Sequence, residues 1–335
     1  MIAPSPAGRN CESGWRGLRK WASHAGIMIA IFQALAPIFL LILLGAGLRA
    51  RGFVPDLFWP SVEKLVYFVF FPCLLVGTLV RADLALGAVA PMALTMAGGM
   101  LLTAAFVLAI RRWTATDDPG FSSVFQGAIR PNNYVSLAAA ATLFGAEGVG
   151  LMAVGIAAIV PLANVLSVSV LQRYGANSQR GLKATALALA RNPLILAVAA
   201  GLALNLLGVR LPGVVEDTME ALGAVSLPLG LLAVGAGVNL RAIGTAPRPT
   251  AISAAAKLIG VPSATALCCW VLGVDGTEAM VAILYHAVPT AAASYVLARQ
   301  MGGDGPLMAG IITVATIAAA VTMPIFLTIA GSVPA

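Results

Sequence analysis

The chain has 335 residues, of which 60% are hydrophobic and only 10% are charged, and its mean hydropathy is +0.95. These charges are too few to cover the surface of a soluble globular protein. The composition therefore excludes a soluble globular protein and predicts one that is embedded in lipid. The net charge of +7 does not indicate nucleic-acid binding, because the basic residues lie in short loops between hydrophobic blocks. Cys11, Cys73, Cys268 and Cys269 lack metal-ligand spacing, so neither a metal site nor a disulfide framework is predicted.

The hydrophobic residues fall in blocks of about 20, the length of a helix that crosses about 30 Å of hydrocarbon. A membrane barrel would instead show alternating segments of about 10 residues, and no such pattern runs through the sequence. We therefore predict an all-α integral membrane protein of about ten transmembrane helices. In chain order the predicted spans are 27–48, 62–80, 86–110, 121–144, 149–171, 193–209, 219–240, 250–273, 277–298 and 306–330.

Basic residues are divided unevenly between the two sides of the predicted membrane. The odd-numbered loops hold Arg49, Arg51, Lys64, Arg111, Arg112, Arg173, Arg180, Lys183, Arg191, Arg241, Arg248 and Arg299. The even-numbered loops hold only Arg81 and Arg210. Because cytoplasmic loops retain lysine and arginine, we expect the odd-numbered loops in the cytoplasm and both termini on the periplasmic side of a bacterial inner membrane.

Residues 1–27 form an N-terminal tail that disagrees with this orientation. Arg9, Arg16, Arg19 and Lys20 would have to be exported across the membrane. The tail resembles neither a transit peptide nor a signal peptide with a short apolar core. Met28 stands at the head of the first span, so our hypothesis is a misplaced start codon, with translation beginning at Met28. An N-terminal peptide from residues 1–20, found by mass spectrometry in the native host, would contradict it.

The chain divides into two five-span halves, residues 28–171 and 193–335, joined by a cytoplasmic linker over residues 172–192. Phe144-Gly-Ala-Glu-Gly at the end of the fourth span is echoed by Met301-Gly-Gly-Asp-Gly at the end of the ninth. A second echo links Phe71-Pro-Cys-Leu-Leu-Val-Gly to Leu227-Pro-Leu-Gly-Leu-Leu-Ala-Val-Gly. An odd number of spans in each repeat makes the second copy enter from the opposite side, an architecture used by secondary transporters.

Two spans carry polar residues around a proline near mid-membrane. The fourth reads Arg130-Pro-Asn-Asn-Tyr134, and the ninth reads His286-Ala-Val-Pro-Thr290. Proline removes a backbone donor and clashes with the preceding turn, so each span should break into half-helices whose ends need buried protein or a water-filled cavity. We expect the two breaks to face each other, where half-helix N-termini and Arg130 would form a positive site suited to a carboxylate.

The breaks supply the candidate substrate-binding residues. They are Arg130, Pro131, Asn132, Asn133, Tyr134, Pro289, Thr290 and Ser294. Each of these residues could instead have a purely structural role. The prolines could be ordinary kinks, Arg130 could reach a membrane interface, and Tyr134, Thr290 and Ser294 could serve only to satisfy the broken backbone.

Three further polar residues inside spans are candidates for coupling transport to an ion, namely His286, Lys257 and Asn164. Their alternatives are a hydrogen-bonded core histidine, a lysine that snorkels to the cytoplasmic face, and an interhelical hydrogen bond from Asn164 beside Pro161. No cofactor is expected. The coupling ion is H⁺ or Na⁺, because His286 suggests protons whereas freed carbonyls at the breaks could coordinate Na⁺.

At these residues the sequence resembles the auxin efflux carrier family, which contains plant PIN-type carriers and bacterial permeases. The resemblance covers nearly the whole chain from Met28. It is carried by Ala-Leu-Ala-Pro37 in the first span, Arg130-Pro-Asn-Asn-Tyr134, Leu143-Phe-Gly145, Val288-Pro-Thr-Ala, Ser294-Tyr-Val-Leu-Ala298 and Gly302-Gly-Asp304. Plant members have a long hydrophilic central loop, and here only about twenty residues separate the fifth and sixth spans, so regulation through that loop is not expected.

The resemblance implies two inverted five-helix repeats with crossed, broken fourth and ninth helices, similar to the bile-acid/sodium symporter fold. It also implies a scaffold made of the first, second, sixth and seventh spans. A homodimer that forms through these scaffold helices is one expected partner arrangement. The remaining spans would form the moving domain of an elevator. Malate, malonate and other small organic anions are typical cargo of bacterial members.

The predicted function is secondary active transport of a small organic anion, such as a dicarboxylate or an auxin-like carboxylate, by an alternating-access elevator mechanism. The alternative is a ligand-binding membrane sensor, or a membrane subunit, that binds the same molecule without transporting it. An intramembrane enzyme is not expected, because the spans contain no paired aspartates, HExxH motif or Ser/His arrangement.

Overall fold

The computed structural model of the protein describes residues 24–82, 86–114, 116–176 and 191–332. The basic residues of the N-terminal tail and most of the predicted linker lie outside the described residues. Every named secondary-structure element in the described ranges is helical, which confirms the all-helical class predicted from composition.

The chain forms a succession of α-helices. They are α1 (His24–Ala50), α2 (Phe58–Leu65), α3 (Phe71–Arg81), α4 (Leu86–Ala109), α5 (Asp118–Ile129), α6 (Asn133–Tyr174), α7 (Pro193–Leu206), α8 (Gly213–Ala236), α9 (Pro247–Ala255), α10 (Val261–Leu272), α11 (Gly276–Ala287), α12 (Ala293–Met301) and α13 (Gly305–Ser332). Two π-helical turns, Val66–Phe70 and Ala256–Gly260, join α2 to α3 and α9 to α10.

Within the described residues, seven helical segments are long and apolar enough to cross a membrane. They are Met28–Ala50, Phe58–Arg81, Val89–Ala109, Asn133–Tyr174, Gly213–Ala236, Pro247–Leu272 and Gly305–Gly331. Pro193–Leu206 is apolar but shorter. Each predicted span overlaps one helix or one pair of consecutive helices, and the fourth and ninth spans are such pairs. The arrangement of ten spans as two inverted repeats remains a prediction.

Helix α6 contains the end of the predicted fourth span and the whole of the fifth. Its 42 residues would extend about 63 Å if straight, roughly twice the hydrocarbon thickness. The helix is kinked at Gly145, which has φ 60° and ψ −146°, a conformation that glycine tolerates and other residues rarely adopt. Gly302, which the sequence echo aligns with Gly145, also has a positive φ of 77° and ends α12. A glycine with a positive φ therefore follows each of the two broken spans.

The helices pack in two groups. In the first, α8 packs against α1 and α3, and α3 packs against α7. In the second, α10 packs against α4 and α11, while α11 packs against α6 and α13. Helix α6 also contacts helices of the first group, and α13 packs against α1, so the two groups meet along α6 and α13. The first group contains helices of the predicted first, second, sixth and seventh spans, and the second contains helices of the other spans.

The contact between α1 and α8 is close because glycines line it. A Cβ atom at Gly45 would overlap the carbonyl oxygen of Leu232, and one at Gly235 would overlap that of Ile42. Backbone cannot yield as a side chain can, so small residues at this contact set the distance between the helices.

Replacing Gly45 with alanine is therefore expected to lower the melting temperature of the purified protein in detergent. Gly47 lies on the same helix, and a Cβ atom there would meet nothing within 4 Å. The Gly47→Ala variant should melt at the wild-type temperature or slightly above it, because alanine favours helix by about 1 kcal/mol over glycine. Equal melting temperatures for the two variants would contradict the close contact.

Candidate functional site

The two predicted breaks lie against each other. Pro131 and Thr290 form an antiparallel bridge between the connections α5–α6 and α11–α12. The Asn132 amide donates to the Pro289 carbonyl at 3.0 Å, and the Ala291 amide donates to the Arg130 carbonyl at 3.0 Å. The crossing expected from the sequence is therefore present, and backbone hydrogen bonds hold the two broken spans together.

The first break is built by proline and completed by a helix cap. Helix α5 ends at Ile129, because the residue before a proline is forced out of the helical region; Arg130 is extended, with φ −88° and ψ 108°. The Asn132 side-chain oxygen accepts hydrogen bonds from the Tyr134 and Val135 amides at 3.1 and 3.3 Å. Asn132 is thus the N-cap of α6, and two amides expected to face a carboxylate are already occupied.

Arg130 brings a positive charge to this crossing. One of its terminal guanidinium nitrogens, Nη1, is buried and has no hydrogen-bond partner in the described part of the chain. No described carboxylate lies within 4 Å of it, and the phenols of Tyr67 and Tyr285 are its electrostatic neighbours. Arg130 as a whole is partly exposed, but a guanidinium nitrogen buried without a partner is costly, so Nη1 favours an anionic ligand over a purely structural role.

Gln126 is a candidate ligand that the sequence reasoning missed. It precedes Arg130 by one helical turn, is fully buried, and neither of its side-chain polar atoms has a partner within the described residues. Residues four apart lie on the same helix face, and Arg130 directly follows the last residue of α5, so we expect the amide and the guanidinium to be neighbours. The i, i+4 spacing of Gln126 and Arg130 was the signal available in the sequence.

Asn133 and Tyr134 connect the break to its surroundings. The Tyr285 hydroxyl donates to the Asn133 side-chain oxygen at 3.1 Å, which joins α11 to α6. The Tyr134 ring packs edge-on against Phe71, with centroids 5.2 Å apart, and lies over Gly230 of α8. Tyr134 therefore contacts the first helix group, and the crossing sits beside the boundary between the two groups.

Thr290 and Ser294 of the second break differ in role. The Thr290 hydroxyl donates to the Gly127 carbonyl at 2.7 Å, so Thr290 satisfies backbone freed at the end of α5. Ser294 is fully buried, and its hydroxyl has no partner among the described residues. Ser294 is therefore the better candidate for contact with cargo.

The Thr290→Val variant should lower the melting temperature, because the buried Gly127 carbonyl would lose its donor at a cost of about 1–3 kcal/mol. The Thr290→Ser variant keeps the hydroxyl and should melt close to wild type. Differential scanning fluorimetry on both purified proteins measures the difference. If valine and serine had the same effect, the hydrogen bond to Gly127 would not stabilise the crossing.

His286 and Lys257 meet at the end of α11. The Lys257 ammonium donates to the His286 carbonyl at 2.8 Å, and Lys257 is fully buried, so it does not snorkel to the cytoplasmic face. The Thr265 hydroxyl donates to the Val261 carbonyl and lies 2.7 Å from His286 Nδ1. Its one proton is thereby used, so His286 Nδ1 is the donor to that hydroxyl, and Nε2 has no partner among the described residues.

Asn164 is not brought into this cluster. It is half-buried in α6, and its side chain makes no hydrogen bond to any residue that the structure describes. The interhelical hydrogen bond expected from the sequence is therefore not found between described residues.

The described surface has cavities away from the crossing. One of about 510 Å³ is lined by residues at the ends of α3 and α7 and the start of α8, including Arg81, Asn205 and Glu216. Another of the same volume lies near Arg111, Arg112 and Tyr174. Neither is lined by a residue of the breaks, so the cavity expected there is not one of these two.

Comparison with known proteins supports the family resemblance. Residues 170–327 match the family model described as membrane transport protein, the auxin efflux carrier or PIN-like family, which confirms the resemblance over these residues. The match starts near the end of α6 and includes Lys257, the ninth-span break and α13, whereas Arg130 and Gln126 lie before it. No curated protein matches the chain.

Proposed function

Because residues 170–327 match the auxin efflux carrier family, whose members are membrane transport proteins, we propose that this chain is a secondary active transporter of a small organic anion. The observation that carries the proposal is the buried, unpartnered Nη1 of Arg130 at the crossing of two broken spans. The cargo class is a molecule with at least one carboxylate, because a guanidinium binds carboxylate through paired, charge-assisted hydrogen bonds.

Arg130 and Gln126 provide the anion-binding groups. Gln126 lies in the last turn of α5 and Arg130 directly follows that helix, and each has at least one buried side-chain polar atom without a described partner. The guanidinium supplies charge, and the Gln126 amide supplies a donor and an acceptor beside it. Ser294 brings a hydroxyl from the other broken span, whereas Asn132 and Thr290 maintain the backbone around the site.

Transport requires that the site be exposed to each side of the membrane in turn. The second helix group carries both breaks and would move against the first as an elevator, with Tyr134 at the contact between them. Several features remain expectations: a bacterial inner membrane location, both termini periplasmic, and a homodimer through the first group. H⁺ and Na⁺ are the two candidate coupling ions.

The direct test is uptake of labelled malate, malonate and indole-acetate by purified protein in liposomes, under imposed pH or Na⁺ gradients. Saturable uptake of at least one anion, absent from empty liposomes and from the Arg130→Ala variant, is the expected result. Binding of an anion without any flux would favour the second candidate, a membrane sensor or a subunit that does not transport. Neither binding nor flux with any carboxylate would overturn the anion site.

A further inference from the structure

Lys257 lies in the middle of a membrane span, and its side chain points into the protein. At 1.5 Å per residue it lies about 15 Å from Pro247 and about 22 Å from Leu272, the ends of the segment. The side chain is fully buried, and its ammonium donates to the His286 carbonyl at 2.8 Å. The π-helical turn Ala256–Gly260 contains Lys257, and such turns interrupt α-helices frequently at functional sites. The Lys257 ammonium therefore lies at the ninth-span break.

The position that Lys257 reaches is one that favours a cation. Helix α11 ends at Ala287, and Val288 is extended, with φ −69° and ψ 158°. The last carbonyls of a helix lack intrahelical donors and carry the negative end of its dipole. No described carboxylate lies within 4 Å of Lys257, so carbonyl oxygen, and not an acid, is the ligand seen for the ammonium.

Three other carbonyls at the crossing also have protein donors. Thr290 donates to Gly127, Ala291 donates to Arg130, and Asn132 donates to Pro289. A bound Na⁺ would coordinate unwound carbonyls and helix C-terminal ends of this kind. Each of these oxygens, together with that of His286, is instead engaged by a hydrogen bond from the chain.

We propose that the Lys257 ammonium is the built-in cation of the ninth-span break and takes the place that a coupling Na⁺ would occupy. This inference rests on the proposed function and concerns its coupling. Transport then proceeds without Na⁺, and Lys257 acts as a positioning residue that holds the end of α11 at the crossing. Loss of its charge creates a vacant cation site at the carbonyl end of that helix.

The test compares wild type, Lys257→Met and the control Lys64→Met, whose lysine is exposed. Wild-type flux of the carboxylate should be the same when choline replaces Na⁺ on both sides of the liposome membrane. The Lys257→Met variant should lose flux by about tenfold or more and melt at a lower temperature in choline. Ethylammonium, which can enter the vacated site, should raise the melting temperature of that variant and of neither other protein.

Two results would overturn the inference. The first is wild-type flux that falls about tenfold or more when Na⁺ is removed. The second is a Lys257→Met variant with wild-type flux and melting temperature. If Lys257→Met does not fold, the wild-type comparison of Na⁺ with choline decides. If wild type transports no anion, the proposed function fails separately, and the melting response to ethylammonium still tests Lys257.

Discussion

Replacing Arg130 with alanine is expected to lower the affinity for a carboxylate cargo by roughly 100-fold or more. A charge-assisted hydrogen bond contributes about 1.5–3 kcal/mol, and a guanidinium makes two with one carboxylate, while each 1.4 kcal/mol is a factor of ten in affinity. Nη1 of Arg130 has no described partner to retain, so the loss should appear in cargo binding. Isothermal titration calorimetry with the anion identified by flux measures it.

The control for Arg130 is Arg299 at the end of α12. Arg299 is exposed, and its described hydrogen bond is to the Tyr295 hydroxyl at 3.5 Å. The Arg299→Ala variant should bind cargo as wild type does, since it removes the same charge from the protein without touching the crossing. The Arg130→Lys variant should recover part of the affinity for cargo, because lysine restores the positive charge but lacks the planar guanidinium group. Unchanged affinity in Arg130→Ala would place the anion site elsewhere.

Replacing Gln126 with leucine is expected to make the protein more stable and the carrier less active. Both polar atoms of Gln126 are buried without described partners, a state that costs about 1–3 kcal/mol for each group. Leucine removes that cost at similar volume, so the melting temperature should rise. Flux should fall by about tenfold or more, because the cargo loses a donor and an acceptor beside Arg130. Melting and liposome uptake are measured on the same preparation.

Ser167 provides the matched control for Gln126. It lies in α6 beyond the Gly145 kink, is fully buried, and its hydroxyl also lacks a partner among described residues. Ser167→Ala should raise the melting temperature without reducing flux. A Gln126→Leu variant that is less stable than wild type would show that the amide packs structurally, and one with full activity would remove Gln126 from the site.

Some parts of the crossing could be predicted from local sequence, and others could not. Pro131 and Pro289 each lie among polar residues inside an apolar span, where protein or a cavity can satisfy the lost helical hydrogen bonds, so both breaks were predictable. Proline alone was not a sufficient signal, because Pro37, Pro91 and Pro228 lie inside continuous helices. Asn132 was expected to bind cargo, but an asparagine that precedes a helix competes for its first amides, and here it caps α6. That outcome depends on the residue at which α6 starts. The sequence alone does not locate the first residue of a helix accurately enough to predict it.

The sequence by itself determined that the chain is helical and membrane-embedded and where its two spans break, because hydrophobic length and proline act locally. Tertiary structure alone decided which atoms meet at the breaks. The sequence left the direction of the Lys257 side chain open. It follows from the packing of the π-helical turn Ala256–Gly260 against α11, which puts the His286 carbonyl within reach of the ammonium. Gln126 emerged as a candidate only from burial without partners, since hydrogen-bond satisfaction depends on every neighbouring helix at once.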